Sequence, residues 1–243
     1  MMHKQNDFIT LTYAPENLPY RGQLNVKDWE LFIKNVRKHL GPGIRFFMCG
    51  EYGEKMDRPH YHAIIFGHQF TERKLWKDNG TNGKLYRSVQ LERFWPHGHA
   101  SAGSVTKQSC GYVARYVMKK VGGQLAQNHY QRTDPETGEL YQLIPEFSRQ
   151  SRMPGIGASW FEKFGYQVFD RDYVIVKGQK VKPPRYYEKL HDRMLDPVTL
   201  EQTKGKRDQK SHTPEVFNDN TDERLKVKET VKKAAVKFLK KGL

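Results

Sequence analysis

The stretch RPHYHAIIFG (58–67) decides the fold. Strand side chains alternate between faces, so His60, Ile64 and Phe66 share a side with His62, while Tyr61, Ala63 and Ile65 take the other. IRFFMCGE (44–51) reads as the preceding antiparallel strand. The polar loop YGEKMDRP (52–59) then returns the chain so that Glu51 comes opposite His60. Three candidate metal ligands, Glu51, His60 and His62, therefore converge on one hairpin. Two imidazoles and a carboxylate suit a divalent cation and leave positions open for water or substrate. An H-x-H pair alone is weak evidence, because alternating polar residues are common on half-exposed strands. A second pair, His97 and His99 in FWPHGHA (94–100), lies among turn-forming Pro and Gly with no obvious carboxylate partner, and is the weaker metal candidate.

The segment SCGYVARYVMKKVGG (109–123) adds weight to the hairpin. At about 100° per residue, Cys110, Val113, Ala114, Val117 and Val121 fall on one side of a helix, and Tyr112, Arg115, Tyr116 and Lys119 on the opposite side. Gly122 and Gly123 stop the helix. The small aliphatics are expected to face the core, which leaves the tyrosines beside two cations. Nearby positive charge favours the ionised form of a phenol whose ordinary pKa is about 10, as a nucleophilic tyrosine requires. Base stacking or phosphate contact is the competing use of the same face.

In this setting the chain resembles a known family. FITLTY (8–13), CGEYGEKMDRPHYHAIIFG (49–67) and YVARYVMKK (112–120) look like the three motifs of HUH-type rolling-circle replication initiators, in that family's order. Within it the chain is most similar to the initiators of small single-stranded DNA bacteriophages, the gokushovirus branch of the microviruses. The similarity continues through DPETGELY (134–141), SRMPGIGASWFEKFG (151–165) and VKGQKVKPPRYYEKL (176–190). The chain departs from the simplest pattern at Arg115, where many relatives carry Lys three residues after the first tyrosine. Lys119 still stands three after Tyr116, and the pairing of cation with tyrosine stays open.

The chain has 243 residues and a formal net charge of +15. That length supports one good core but leaves little room for a second domain of ordinary size, and the charge implies a polyanionic partner, nucleic acid or an acidic membrane surface. Residues 1–125 carry 19 Lys and Arg against 10 Asp and Glu, so most of the excess accompanies the candidate site and favours phosphate-backbone binding there. No apolar run approaches the roughly 20 residues of a membrane span, and MMHKQND lacks the apolar region of a signal peptide. No membrane association and a cytoplasmic setting, that of the bacterial host, are expected. Cys49 and Cys110 offer neither a disulfide framework nor zinc-finger spacing, and both are expected as buried thiols in a reducing compartment. The absence of a P-loop or G-x-G-x-x-G argues against ATP use, so unwinding falls to a host enzyme.

Strands are expected at 7–13, 44–51 and 60–66. A helix from about Asn25 to Leu40 carries Trp29, Phe32, Ile33, Val36 and Leu40 at helical spacing, and a helix around 106–121 carries the tyrosines. This order points to an α+β class, an antiparallel sheet with helices packed on it; the resemblance implies a ferredoxin-like HUH variant with the metal hairpin central. Thr10 and Thr12 share a face open to DNA, although ordinary strand composition explains them equally. In residues 68–104 aromatics alternate with cations, a make-up that suits base stacking and a solvated insertion alike. DYVIVKGQKVKPPRYY (172–187) reads as a hairpin turning near Lys177 and Gly178. PGIG (154–157) reads as a tight turn. The expected organisation is a domain over 1–190, a polar linker over 191–220, and a basic amphipathic helix over 221–243 that starts at Asn220 and Glu223.

The function that the resemblance implies is a site-specific single-stranded DNA endonuclease and strand transferase that initiates rolling-circle replication. Glu51, His60 and His62 would hold Mg²⁺ or Mn²⁺, and Tyr112 or Tyr116 would attack the scissile phosphate, assisted by Arg115 and Lys119. The product would be a 5′-phosphotyrosine and a 3′-OH for a polymerase to extend. Arg115, Lys119, Lys120, Lys177, Lys180, Lys182 and Arg185 are the candidate DNA contacts, with the phage origin, a host helicase and a host DNA polymerase as partners. One alternative is a non-catalytic basic DNA-binding or packaging protein on the same fold. Another is a small-molecule metalloenzyme, which leaves the charge and the tyrosine helix unexplained.

Overall fold

Helix α1 (Val26–Leu40) forms where its apolar spacing and its cap coincide. The side chain of Asn25 accepts the Lys27 amide hydrogen, and Trp29, Phe32, Ile33 and Val36 are buried on one face. The computed structural model describes residues 2–53, 57–80, 83–116, 120–169, 172–176 and 178–239, with the backbone alone at 116 and 236–239. The described chain forms two compact units, Met1–Ile156 and Gly157–Leu243. The division falls inside the stretch 1–190 that the sequence treats as one piece.

In the first unit, strands β1 (Asn6–Tyr13), β2 (Arg45–Tyr52), β3 (Pro59–Phe66), β4 (Lys74–Asp78), β5 (Lys84–Arg87) and β6 (Gly98–Ser104) build one sheet. Helix α2 (Val89–Phe94) lies between β5 and β6 in the chain. After β6 come α3 (Lys107–Tyr116), α4 (Leu125–Tyr130), a two-stranded hairpin β7 (Gln131–Thr133) and β8 (Leu140–Gln142), and β9 (Phe147–Gln150). The seven sheet strands are ordered β4-β5-β6-β1-β3-β2-β9, and their pairings are antiparallel. The architecture is α+β with the metal hairpin inside the sheet.

The two sheet faces differ in chemistry. Ile9, Leu11, Tyr13, Met48, Tyr61, Ala63 and Ile65 pack with α1, with Leu91 and Phe94 of α2 and with Trp95. Ile64 and Cys49 face the other way, beneath Val113 of α3. The alternation read along 58–67 is therefore the alternation found. Cys49 is buried, whereas Cys110, expected to be so, is half-buried at the edge of the smaller cluster; both are free thiols. The insertion between β3 and β4 is tied to β1 by Asp7, which accepts from the Phe70 amide at 2.7 Å and pairs with Arg73 at 2.5 Å. DPETGELY makes a turn whose Asp134 accepts from the amides of Glu136 and Thr137, while Asp134 and Glu139 grip Arg21.

The second unit holds α5 (Ala158–Phe169), the hairpin β10 (Val174–Val176) and β11 (Gln179–Val181), α6 (Arg185–Asp192), α7 (Pro197–Ser211), α8 (Pro214–Asp219) and α9 (Asp222–Leu239). Tyr187 of α6 stacks on Trp160 of α5 at 5.3 Å between ring centroids. PGIG acquires a reason here beyond its turn. Gly157 has φ +90°, and a Cβ on it would meet the Tyr187 hydroxyl at 2.6 Å. The stretch read as a polar linker contains α7 and α8 instead. Neither buries a residue, so apolar periodicity could not announce them. They are specified by caps: Asp196 before Pro197, and Thr213 before Pro214. Thr221, rather than Asn220, caps α9, accepting from the Arg224 amide. Val227 and Val231 of that helix are exposed. No helix among the described residues is long and apolar enough to cross a membrane.

Gly98, between the two histidines of PHGH, is required where β6 crosses β1. A Cβ there would lie 2.2 Å from the Ala14 nitrogen and 2.5 Å from the Thr12 carbonyl oxygen. Neither backbone atom is free to yield, because Ala14 N–H donates to the His97 carbonyl at 2.9 Å. Gly98→Ala is expected to lower stability by at least the roughly 1–3 kcal/mol typical of overpacking, seen as an earlier urea midpoint with unchanged slope. An unshifted midpoint would show that the strand can move apart without cost.

Candidate metal centre beside a tyrosine helix

The centre is built by register. Pairing of β2 with β3 sets Glu51 opposite His60 and Cys49 opposite His62. Pairing of β1 with β3 sets Thr12 opposite His60 and Thr10 opposite His62. Ligand atoms of Glu51, His60 and His62 lie within 4.8 Å of one another. Glu51 Oε1 is 2.8 Å from His60 Nε2 and 3.1 Å from His62 Nε2. Both rings are held from behind: His60 Nδ1 is 3.0 Å from the Arg58 carbonyl, and His62 Nδ1 is 2.9 Å from Thr10 Oγ1. Such outer partners set ring orientation and ligand basicity.

The donor set fits a divalent cation. Glu51 is 2% exposed, and a carboxylate so buried must find compensating charge. Burial pushes its carboxyl up, but hydrogen bonds and charge from His60 and His62 outweigh that and bring it to about 2. A carbonyl only accepts, so His60 Nδ1 carries a proton toward Arg58, and a neutral His60 turns its Nε2 lone pair to the carboxylate. Two acceptors at that distance need a cation between them, a proton or a metal.

Helix α3 starts with a reciprocal cap. Thr106 Oγ1 accepts from the Ser109 amide at 3.1 Å, and Ser109 Oγ accepts from the Thr106 amide at 2.8 Å. The helix lies on β2 and β3, and Tyr112 brings its ring to 5.2 Å from that of His62 and 6.1 Å from that of Phe8, edge-on to both. This corrects the helical-wheel expectation. Tyr112 is on the covered side, half-buried, and Ala114, expected in the core, is exposed. The buried arc centres on Ser109 and Val113 and swings toward Tyr112, because a phenol ring buries far more apolar area against Phe8 than a methyl group can.

The other expected site residues distribute as follows. Arg115 is half-buried and folds back along the helix, its Nη1 3.4 Å from where a Gly111 Cβ would stand. Lys120 is exposed. The side chain of Tyr116 and residues Lys119 and Lys177 lie outside the described residues. Lys180, Lys182 and Arg185 belong to the second unit and are exposed there, Lys180 over the Tyr173 ring at 4.8 Å. His97 does not join the centre; its Nε2 is 4.0 Å from Asp28. His99 is exposed and opposite Thr12, so it shares the sheet row of His60 and Glu51. Sequence reasoning missed the Thr10 contact with His62 and the Asp57–Arg132 pair, 3.0 Å, which braces the loop before β3. For Thr10 the signal was present, since its face was legible, but its partner is on another strand.

Residues 6–121 match a family model for the replication-associated protein ORF2, a span that runs from β1 through α3 and contains the whole centre. The chain belongs to this family of replication-associated proteins. Its curated relatives include the replication-associated protein VP4 of Bdellovibrio phage phiMH2K, 34% identical over 77% of this chain and 58% of that protein. Another is the replication-associated protein ORF2 of Spiroplasma virus 4, 31% identical over 84% of this chain and 64% of that protein. A third, the replication-associated protein ORF4 of Chlamydia phage 1, is 29% identical over 77% of this chain and 46% of that protein. The chain therefore spans between about half and just under two thirds of these relatives' lengths. No solved structure matches it.

Thr10→Val keeps shape and removes the hydrogen-bond partner of His62. Weakening of Mn²⁺ binding by about 10- to 100-fold is expected, measured by titration of free Mn²⁺ signal in electron paramagnetic resonance. Glu51→Gln should weaken it further. Unchanged affinity in Thr10→Val would remove Thr10 from the support of the centre.

Proposed function

We propose that this chain is a metal-dependent, site-specific endonuclease and strand transferase for single-stranded DNA, acting in phage genome replication within the bacterial cytoplasm. The observation that carries the reading is the contact of the Tyr112 ring with His62, a residue of the Glu51, His60 and His62 group. A nucleophile and a cation site on one sheet face are what phosphodiester transesterification needs. The reading draws further support from the family match, the replication-associated relatives and the net charge of +15.

Glu51, His60 and His62 would hold Mg²⁺ or Mn²⁺, which when bound supplies positive charge against the developing charge on the phosphoryl oxygens. The Tyr112 oxygen attacks phosphorus as its phenolic proton leaves to solvent. A bond from phosphorus to the tyrosine oxygen forms, the bond to the 3′ oxygen breaks, and the 3′ oxygen takes a proton. The products are a 5′-phosphotyrosine and a 3′-OH that a host polymerase can extend. No phosphoryl energy is lost, so a 3′-OH can later attack the adduct and reseal the strand without ATP. Thr10 and the Arg58 carbonyl keep both imidazoles turned to Glu51 throughout. Arg115 and Lys120 contribute backbone affinity, and Tyr116, one turn on, is the second nucleophile for the terminating cut.

The test uses circular single-stranded DNA of a related phage with Mn²⁺, with and without chelator, read on a denaturing gel for covalent protein–DNA adduct. Chelator-sensitive adduct is expected. Tyr112→Phe with Tyr116→Phe should abolish it while leaving thermal unfolding nearly unchanged, because the Phe8 and His62 ring contacts survive. Each single replacement should retain some cleavage and lose efficient release of unit-length circles. A nucleotide mapped by mass spectrometry to a peptide with neither tyrosine would overturn the mechanism.

A further inference from the structure

The hairpin of β4 and β5 serves neither the core nor the metal centre. Strand β4 is a sheet edge, and all five of its residues are exposed. Its register skips: Leu75 pairs with Tyr86 and Lys77 with Leu85, which leaves Trp76 as the extra residue of a bulge. Bulges re-aim side chains, and this one holds an indole that is 57% exposed, whereas Trp29 and Trp95 are each 1% exposed. The neighbouring cations divide into two sets. Arg73 is taken by Asp7, Arg87 by Glu92 and Lys84 by Asp78. Lys74 and Lys77 have no acidic partner among the described residues.

The hairpin also faces the right way. Lys77 pairs with Leu85, Leu85 with Gly103, Gly103 with Phe8, and Phe8 with Ile64. Cross-strand partners share a face, so this row places Lys77 on the face of His62 and Tyr112, opposite to that of α1. Four strand spacings separate β4 from β3, about 19 Å. Lysines on an edge strand also discourage unwanted pairing, but an exposed tryptophan works against that purpose.

We propose that the β4–β5 hairpin is a second contact for single-stranded DNA, remote from the metal centre, in which Trp76 stacks on a base and Lys74 and Lys77 hold adjacent phosphates. An exposed aromatic flanked by uncommitted cations is the sequence-tolerant way to grip a single strand. The inference rests on the single-stranded DNA reading of the same chain and extends it to a surface outside the reacting atoms.

The experiment measures binding of fluorescently labelled oligothymidylate by the whole chain, alongside nicking of a short substrate centred on the cut. Trp76→Ala should weaken oligothymidylate binding about 5- to 100-fold, Trp76→Phe should retain most of it, and neither should change nicking of the short substrate. Lys74→Ala with Lys77→Ala should flatten the dependence of log affinity on log salt by about 1.4. The two readings fail separately. Trp76-dependent binding in a chain that forms no adduct keeps the hairpin and removes the nuclease; normal adduct with binding and salt slope unaffected by either set of variants overturns the hairpin alone. Loss of a dimer in Trp76→Ala by sedimentation, with DNA affinity unchanged, would assign the surface to a second copy of the chain and overturn the proposal.

Discussion

The centre depends on the register of β3, and a phenol on the far face of the sheet holds that register. The Tyr61 oxygen lies 2.7 Å from the Asn25 carbonyl oxygen, 3.0 Å from the Asn25 nitrogen and 2.8 Å from the Tyr13 hydroxyl. Tyr13 in turn donates to Asp28 at 2.6 Å. Asn25 caps α1, so one fully buried side chain between the two histidines fastens the metal strand to the start of the main helix. Burial against these partners pushes the Tyr61 hydroxyl up to about 12, and Tyr13 is raised further still, so both remain neutral donors. A slip of one residue would turn both histidines toward α1 and bring Tyr61 to the other face. It would bury two imidazoles among hydrocarbon and leave the hydroxyl bonds unmade.

With the register fixed, electrostatics on the opposite face follow. Glu51 is nearly as buried as the core around it, and an unpartnered carboxylate there would cost several kcal/mol. Its partners are histidines whose Nδ1 atoms are committed elsewhere, to Arg58 and Thr10, so their Nε2 atoms have one direction available. The charge is thus compensated locally and the ligands are oriented before any cation arrives. Removing both imidazoles together would strand the carboxylate, at about 3–5 kcal/mol by analogy with broken buried pairs. Single replacements of the outer partners report on the centre with less risk to the fold.

Much of this was legible in sequence, for identifiable reasons. Helix α1 combined a cap at Asn25 with an apolar stripe, and β3 alternated cleanly, so local pattern and global fold agreed. Pairing of Glu51 with His60 followed from the hairpin length alone. The contact of Thr10 with His62 was not legible, because it joins residues 52 apart and needs the pairing of β1 with β3. The tilt of α3 was misread because a helical wheel weighs residues by polarity, whereas packing weighed the ring of Tyr112 against the methyl of Ala114. Helices α7 and α8 escaped because they bury nothing, and only their Asp-Pro and Thr-Pro starts record them.

The two faces of the sheet divide the labour of the first unit. Helices α1 and α2 seal one face, where Trp29, Tyr61 and Trp95 sit at 1% exposure or less, and most of the apolar burial is there. The other face is covered by α3 only over β2 and β3, around Cys49, Ile64 and Val113. Toward β6 the rows holding Thr12 and His99, and Thr10 and Ser101, continue from the metal ligands as polar residues that are half-buried or exposed. A face packed as tightly as its opposite would be more stable and would admit no polymer. Leaving these rows open forgoes hydrophobic burial on three strands, at roughly 25 cal/mol per Å² of apolar surface, and the fully buried far face supplies the stability that makes the omission tolerable. Stability and access are thereby separated by the thickness of one sheet, with Tyr61 and the histidines on either side of it as successive residues of a single strand.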